Sequence, residues 1–233
     1  MLVALEGVDG AGKGTQLELV SGLLRQAGLT IEVISFPRYR QGLFGDTVAR
    51  FLNGGFGDPS AVPPHFPALL FAGDRLEHRR ELLELLERSD VVLADRYVAS
   101  NAAYQAARLE GEERASFLAW LLRVEYEVFE LPQPELQVYL RVEVGTAQRL
   151  VAGKKQRTYT SKRYDVFEDD ARLQRTVAGI YEDFVADAFG GPWAAIDVCD
   201  ASGTPLAADV ISEAIAQRVL RQVQPRRAND GRV

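Results

Sequence analysis

The stretch GVDGAGKGTQ at residues 7–16 decides the fold, because it stands between the apolar run LVAL at residues 2–5 and a helical pattern that begins at Leu17. A buried strand, a glycine-rich loop and a helix N-terminus, in this order, form a cradle for phosphate groups. The glycines let backbone N–H groups turn towards an anion, and Lys13 adds a charge for terminal phosphates. The chain is therefore predicted to bind a nucleoside phosphate. The residues predicted to contact the donor phosphates are Gly7, Gly10, Ala11, Gly12, Lys13, Gly14, Thr15 and Gln16.

One irregularity concerns the metal that accompanies nucleoside phosphates. A strict phosphate loop has Ser or Thr directly after the lysine, whereas here Gly14 intervenes and the hydroxyl of Thr15 comes one place later. Magnesium is therefore expected to rely on carboxylates rather than on this hydroxyl.

Composition limits the class of protein. The 233 residues are 47% hydrophobic, which fits one compact domain, and the formal net charge of −6 argues against a nucleic-acid partner. The lone Cys199 cannot form an internal disulfide, and no apolar stretch approaches the ~20 residues of a membrane span. The N-terminus enters a strand without a signal segment. We expect a cytoplasmic protein without membrane contact.

Short apolar runs alternate with longer amphipathic ones, which predicts a doubly covered parallel sheet of an α/β protein. The predicted strands are 2–6, 31–36, 91–95, 136–142 and 193–198. The predicted helices are 14–27, 43–53, 66–88, 97–109, 112–130, 145–152, 167–189 and 206–222. A single domain over 1–222 is expected, and 223–233 lack apolar periodicity and are predicted to be a disordered tail.

A second group of polar residues follows the third strand. Asp95 ends that strand and should lie beside the phosphate loop, since ligands gather at the carboxyl ends of parallel strands. Taken alone, Asp95 is equally a helix N-cap; with the loop it is a candidate magnesium partner, and Arg96 can reach a phosphate. Ser100, Asn101 and Tyr104 share one region of the next helix, which suits a small planar ligand or is simply a polar surface.

Four motifs together resemble the thymidylate kinase family, in its actinobacterial, mycobacterial-like branch. They are EGVDGAGK at 6–13, FPRY at 36–39, FAGDR at 71–75 and DRYVASNAAYQ at 95–105, and the likeness runs from residue 1 to about 190. The resemblance implies a P-loop nucleoside monophosphate kinase fold with a mobile lid over about 153–164, and a homodimer. It also implies a magnesium-dependent enzyme that phosphorylates dTMP with ATP to dTDP on the way to dTTP.

The resemblance assigns roles to the acceptor side. Phe71 would stack on thymine, Arg75 and Asn101 would contact its polar edges, and the ring of Tyr104 would exclude a ribose hydroxyl. Arg38 or Tyr39 would hold the acceptor phosphate, although many bacterial relatives have a different sequence there. The residues implied for dTMP are Asp9, Phe36, Arg38, Tyr39, Phe71, Arg75, Arg96, Ser100, Asn101, Tyr104, Gln105 and Asp165.

Cations for the transferred phosphate are expected from the lid, because Gly10 stands where one class of these kinases has a basic residue. Five basic residues lie between 154 and 163. Arg149 is implied to stack on adenine. The implied catalytic residues are Asp9, Lys13, Arg96, Arg157 and Arg163, and the implied metal partners are Asp9, Asp95 and Glu168.

Each assignment has a structural alternative. The basic run could be a solvated loop, Phe71 a core aromatic, and Arg75 the partner of Asp74 or Glu77. Asp9 could stabilise the loop through an Asx turn.

Two other functions stay open. One is another nucleoside monophosphate kinase of the adenylate kinase type, which shares GKGTQ at 12–16 but usually has proline where this chain has Asp9. The other is a nucleotide-binding regulator without transfer activity, which would have no need of acceptor-reading residues.

Overall fold

The computed structural model describes residues 1–152 and 171–229, and the strands of this part form one parallel sheet. The sheet order is β2-β3-β1-β4-β5, and each strand ends within one residue of its predicted position. The five-stranded α/β prediction is therefore confirmed. The strands are β1 (Leu2–Glu6), β2 (Ile31–Ser35), β3 (Val91–Asp95), β4 (Leu136–Arg141) and β5 (Trp193–Asp197).

Helices connect the strands, and most begin or end where the sequence pattern predicts. They are α1 (Lys13–Gln26), α2 (Leu43–Leu52), α3 (His65–Glu77), α4 (Arg79–Arg88), α5 (Val98–Ala106), α6 (Gly111–Leu122), α7 (Val144–Ala152), α8 (Ala171–Asp187) and α9 (Ala208–Asn229). A short 3-10 turn spans Pro59–Ala61, and a π-helical segment, Arg123–Val128, follows α6.

The two faces of the sheet belong to two separate hydrophobic cores. Along β1, Val3 and Leu5 join the larger core with α1, α8 and α9, whereas Leu2 and Ala4 join a second core with α4 and the start of α5. All five residues of β1 are buried. This is the pattern expected of a central strand of a parallel sheet covered on both sides.

The predicted helix 66–88 is wrong as a single element, since it breaks at His78. This residue has φ −104° and ψ 11°, outside the helical range. Its ring nitrogens lie 2.9 Å from the carbonyl oxygen of Asp74 and 2.8 Å from that of Gln41. The contact with Gln41, 37 positions away in the chain, holds the junction between α3 and α4.

The predicted helix 112–130 also differs, because its second half is the π-helical segment. The wider turn lies where Glu125 is fully buried while its neighbours Arg123 and Glu127 are largely exposed. Such segments accommodate an extra residue in a helix and are frequent at functional sites.

The C-terminal helix is longer than predicted. It ends at Asn229 rather than near residue 222, so 223–229 of the predicted disordered tail are helical. Residues 230–233 lie outside the described part, as do 167–170 of the predicted helix 167–189. The division into one domain, lid and tail stays a prediction. None of the helices among the described residues is long and apolar enough to span a membrane.

The sheet order brings the two sequence-predicted constellations together. β1 and β3 are neighbours, with Leu5 paired to Asp95, and the N–H of Arg96 donates to the carbonyl oxygen of Leu5 at 3.0 Å. The glycine loop after β1 and the Asp95-Arg96 pair after β3 therefore leave the sheet side by side.

Candidate active site

The loop between β1 and α1 encloses the side chain of Lys13. Its Nζ donates to the carbonyl oxygens of Gly7 and Val8 at 3.0 and 2.9 Å. Burial of the ammonium group, together with the positive charge of Arg96, lowers the pKa of Lys13 to about 8. An anion bound in the loop would oppose both effects and extend the charged form of Lys13 to higher pH.

The glycines of this loop are required by its shape. Gly7 has φ 143°, and a Cβ there would lie 3.0 Å from the carbonyl oxygen of Leu140 on β4. Gly12 has φ 91° and precedes α1, and among the described residues none caps the first turn of that helix with a side chain. A helix N-terminus without a side-chain cap, preceded by a tight glycine turn, has backbone N–H groups that suit an anion.

Asp9 joins the loop to the helices around it. One carboxylate oxygen accepts a hydrogen bond from Arg96 Nη2. The other accepts from the hydroxyl of Tyr104 at 2.6 Å and from Nε2 of Gln174 at 3.1 Å. This loop carboxylate therefore fixes an arginine and a phenol beside the predicted phosphate site.

Arg96 is anchored by the backbone and by α5. It has φ 64°, a left-handed conformation, and its Nη1 donates to the carbonyl oxygen of Gly7 at 3.2 Å and to Ser100 Oγ at 3.0 Å. Its guanidinium also lies 5.3 Å from the ring centre of Tyr104. The arginine is thus held between the phosphate loop and the start of α5.

Glu6, the last residue of β1, is fully buried beneath this arginine. It accepts hydrogen bonds from the N–H of Tyr97 at 2.8 Å, from the hydroxyl of Tyr181 at 3.0 Å, and from Ser100 Oγ. Burial raises the pKa of Glu6, while these bonds and Arg96 act against the rise. Glu6 therefore positions the turn from β3 into α5.

A cavity opens beside Asp9 and Arg96, with about 580 Å³ of space between protein atoms, including solvent at its mouth. Ten of the twelve residues that the sequence assigns to dTMP line it, together with Pro37, Leu52 and Tyr97. The ten are Asp9, Phe36, Tyr39, Phe71, Arg75, Arg96, Ser100, Asn101, Tyr104 and Gln105.

Buried polar groups stand on the cavity wall formed by α3 and α5. Arg75 binds neither Asp74 nor Glu77. It forms a bidentate ion pair with Glu125, in which Nε donates to Oε2 at 2.9 Å and Nη2 donates to Oε1. Asn101 Nδ2 donates to the same Glu125 at 3.1 Å.

The structure separates Arg38 from Tyr39. Tyr39 lines the cavity, whereas the guanidinium of Arg38 contacts Gln41 and Glu81 outside it. The backbone N–H of Arg38 donates to Asp74 Oδ2 at 3.0 Å, which anchors the loop after β2. Of the two residues, Tyr39 is therefore the one that lines the cavity.

The predicted metal partners are only partly brought together. Asp95 Oδ1 is buried and has no hydrogen-bond partner among the described residues. Both oxygens of Asp9 already accept hydrogen bonds, and within 1–152 and 171–229 no three acidic, His or Cys side chains form a metal group. A nucleotide-bound magnesium ion needs only one or two protein carboxylates, because phosphates and water complete its shell. Asp95 therefore fits such an ion.

The remaining donor-side residues lie apart from the cavity. Gly14 and Thr15 are exposed on the first turn of α1, whereas Gln16 is buried and donates to the carbonyl oxygen of Ala208 at 3.1 Å. Arg149 is exposed on α7 and donates to Thr146 Oγ1 at 2.7 Å. The other predicted residues lie outside the described part: Arg157, Arg163, Asp165 and Glu168.

Three residues of the site are not found by sequence reasoning: Glu125, Gln174 and Tyr181. They come from the π-helical segment and α8, and their partners lie 24 to 175 positions away in the chain. The sequence signal for Glu125 and Gln174 is a polar side chain among apolar helix positions, which suggests a buried polar group but does not identify its partner.

Comparisons with known proteins agree with this geometry. A family model described as thymidylate kinase matches residues 5–187. The thymidylate kinase of Mycobacterium tuberculosis is 42% identical over 193 residues, which cover 83% of this chain and 89% of that protein. A probable thymidylate kinase of Pyrococcus abyssi is 32% identical over 75% of this chain and 78% of its own length. The structure of thymidylate kinase from Candida albicans superimposes with a TM-score of 0.68 at 19% identity, covering 95% of this chain and 91% of that one.

Proposed function

Because the chain belongs to the thymidylate kinase family, we propose that it transfers the γ-phosphate of ATP to dTMP and releases dTDP and ADP. The observation that carries the proposal is the junction of the phosphate loop and the cavity at Asp9 and Arg96. A donor phosphate in the loop and an acceptor phosphate at the cavity mouth would both meet Arg96.

On the donor side, the loop N–H groups and Lys13 would hold the phosphates of ATP. Lys13 now bonds two loop carbonyl oxygens, which phosphate oxygens would replace as partners. Arg149 is proposed to contact adenine, since it is exposed on α7 near the predicted lid.

On the acceptor side, we assign the base to the wall that carries Phe71, Arg75 and Asn101. Phe71 offers an aromatic face for stacking, while Arg75 and Asn101 offer polar groups for the base edges. Tyr104 stands nearer to Asp9 and would meet the sugar, and Tyr39 would approach the phosphate.

The acceptor phosphate is already ionised at neutral pH, so the protein does not have to activate it strongly. Catalysis of phosphoryl transfer is mainly alignment and compensation of charge on the transferred oxygens. Arg96 is positioned for this by Gly7, Asp9 and Ser100, which together use both terminal nitrogens of its guanidinium. These contacts place the guanidinium between the phosphate loop and the cavity, where its positive charge would compensate charge on both phosphates.

Magnesium is the cofactor we propose, and it would neutralise charge on the phosphate oxygens when bound. Asp95 would hold it through the buried oxygen that has no partner among the described residues. Asp9 would act as a second, more distant partner, and Glu168 is assigned there from the sequence alone.

The lid cations are proposed from the sequence to complete the charge compensation. Alanine substitution of at least one of Arg157 and Arg163 should lower kcat with little change in the KM for dTMP. Wild-type turnover of both variants at saturating substrates would contradict this role.

We also propose a homodimer that works in the cytoplasm, where ATP and the precursors of DNA synthesis occur. Four apolar side chains on α2 and α3 are exposed: Leu43 (73%), Phe66 (62%), Leu69 (39%) and Leu76 (40%). An exposed apolar patch of this kind indicates an interface.

The deciding experiment is an acceptor panel with ATP and magnesium, in which ADP formation is followed for dTMP, dUMP, dCMP, AMP and GMP. We expect the highest kcat/KM with dTMP. Higher kcat/KM with AMP or GMP would indicate an adenylate kinase type of enzyme. Stoichiometric nucleotide binding without ADP formation in the presence of dTMP would indicate a regulator instead.

A further inference from the structure

Three buried polar side chains meet behind the wall of the acceptor cavity: Arg75, Asn101 and Glu125. They are 2%, 4% and 0% exposed, so their hydrogen bonds do not compete with solvent. Glu125 accepts from Nε and Nη2 of Arg75 and, through Oε1, from Nδ2 of Asn101 at 3.1 Å. One carboxylate therefore binds both residues that would read the base.

The orientation of the Asn101 amide follows from its neighbours. Nδ2 lies 3.0 Å from the carbonyl oxygen of Ala68 and 3.1 Å from Glu125 Oε1. Both neighbours are acceptors, so the NH₂ group must face them. The amide oxygen is left over, and it is buried without a hydrogen-bond partner among the described residues.

The guanidinium of Arg75 is constrained in the same way. Glu125 takes Nε and Nη2, which leaves Nη1 as the terminal nitrogen that Glu125 does not bind. Since Arg75 and Asn101 both line the cavity, the wall offers a permanent donor and a fixed acceptor. An arginine cannot reverse its role, and the amide cannot turn over while Glu125 and Ala68 hold its NH₂ group.

This pair distinguishes two kinds of pyrimidine. Thymine presents a carbonyl oxygen at C4 and an N–H at N3, which match a donor and an acceptor. Cytosine presents an amino group at C4 and an unprotonated N3, which would place donor against donor and acceptor against acceptor. A buried polar pair left unsatisfied in this way excludes a ligand far more strongly than a difference in shape.

We propose that Glu125 is a positioning residue that sets the preference for a 4-keto over a 4-amino pyrimidine, by fixing the Arg75 guanidinium and the Asn101 amide. The inference rests on the proposed function, because it needs a pyrimidine monophosphate in the cavity. The π-helical segment places this carboxylate in the interior, since Glu125 is fully buried while Glu127, two positions further on, is exposed.

The test compares Glu125→Gln with the matched control Glu127→Gln in the same segment. Glutamine keeps the shape but replaces one acceptor oxygen by a donor, which must then face a donor of either Arg75 or Asn101. We expect the dTMP-to-dCMP ratio of kcat/KM to fall by about tenfold or more in Glu125→Gln, since one charge-assisted hydrogen bond is lost. The KM for ATP should be unchanged, and Glu127→Gln should match wild type.

A purely structural role for Glu125 would lower the melting temperature or kcat without moving this ratio. A folded Glu125→Gln enzyme with the wild-type ratio therefore overturns the inference. If the wild-type enzyme itself fails to phosphorylate dTMP, the proposed function fails instead, so the two failures are distinguishable.

A crystal structure of the wild-type protein with dTMP provides a test that does not depend on the folding of a variant. Glu125 should keep both partners while Asn101 Oδ1 accepts from N3 of the base. Release of Arg75 or Asn101 from Glu125 on binding, or an amide turned with its NH₂ towards the base, would overturn the inference.

Discussion

Among the individual residues, Asp9 connects the two halves of the site. Its carboxylate accepts hydrogen bonds from Arg96, Tyr104 and Gln174. A carboxylate in a phosphate loop would repel the ligand, but the adjacent Arg96 offsets its charge. Asp9 therefore serves to hold an arginine and a phenol at the junction between the phosphate loop and the cavity.

Tyr104 provides the first prediction. Tyr104→Ala should raise kcat/KM for ribothymidine monophosphate relative to dTMP by roughly tenfold or more, because the ring no longer fills the space that we assign to the 2′ position. Steady-state kinetics with the two acceptors measure this ratio.

The control is Tyr104→Phe, which keeps the ring and removes only the hydrogen bonds of the hydroxyl to Asp9 and Gln174. It should retain the preference for the deoxy acceptor while the KM for dTMP rises. If both variants lose the preference equally, exclusion by the ring is the wrong explanation.

Lys13 gives a pH prediction. Since burial lowers its pKa to about 8, the free enzyme is charged at this position below that pH and loses the charge above it. The kcat/KM for ATP should therefore fall by about tenfold per pH unit at pH values above 8. A pH profile of initial rates at low ATP measures the fall.

At saturating ATP the profile should stay flat over the same range, because bound phosphates favour the charged lysine. Lys13→Arg, which stays charged at these pH values, should lack the fall in kcat/KM whatever its absolute rate. A wild-type profile without a fall above pH 8 would contradict the assignment.

At the scale of elements, the end of α3 holds the loop that follows β2. Asp74 Oδ2 accepts from the N–H of Arg38 at 3.0 Å, and the ring of His78 contacts the carbonyl oxygen of Gln41 at 2.8 Å. Glu77 accepts from the N–H groups of Leu43 and Phe44, both at 3.0 Å. The helix that carries Phe71 and Arg75 therefore also positions the loop that carries Tyr39.

Among these contacts between α3 and the loop after β2, those of Glu77 can be removed by a single substitution of an exposed side chain. It caps the N-terminus of α2, so Glu77→Ala should lower the free energy of unfolding by about 1 kcal/mol, or a few degrees in Tm. The two N–H groups lower the pKa of Glu77 from its ordinary 4.5. Its contribution is therefore present above that value and is lost as the pH falls through the lower, folded-state pKa.

Calorimetry at neutral pH and at about pH 3 measures both effects. Glu84→Ala is the control, because Glu84 is an exposed glutamate on α4 whose surface contact with Arg80, at 3.5 Å, is long. A Glu77→Ala loss no larger than that of Glu84→Ala, or one that persists undiminished at acid pH, would contradict the capping role.

The elements also show which local structure the sequence can predict. The strand β1 is recognisable because a buried parallel strand is a short apolar run, and the sequence contains no competing helical period there. The break at His78 is not recognisable, since the apolar period continues from α3 into α4 and the cause is a contact with Gln41. The π-helical segment is not recognisable from the sequence either, because it goes with the burial of Glu125, which is a tertiary contact.

At the scale of the whole molecule, the sheet order explains why so much of the site is predictable. Motifs that directly follow β1 and β3 must converge, because these strands are neighbours and parallel. Glu125 and Gln174 instead reach the site from helices placed by tertiary packing, so no local spacing relates them to Arg75 or Asp9. Only the hydrogen bonds of the folded protein connect these two residues to the site.

At the same scale, the described part of the chain exposes a group of apolar side chains on α3. Phe66, Leu69 and Leu76 follow one another at spacings of three and seven along α3, and Gly73 continues this stripe. The ring of Phe44 on α2 packs directly against Gly73. A Cβ at this position would lie 2.4 Å from the ring, so only glycine leaves room for it. The two helices thus pack together, and Leu43, Phe66, Leu69 and Leu76 are the exposed apolar side chains that they present.

Phe66→Glu should convert the proposed dimer into a monomer, because it places a charge on that face, where desolvation without a partner is costly. Sedimentation velocity at micromolar protein concentration measures the change in mass. Val210→Glu is the matched control, since Val210 is 51% exposed on α9, away from α2 and α3, and should leave the dimer intact. A wild-type protein that sediments as a monomer, or a Phe66→Glu variant that remains dimeric, would show that this face has another purpose.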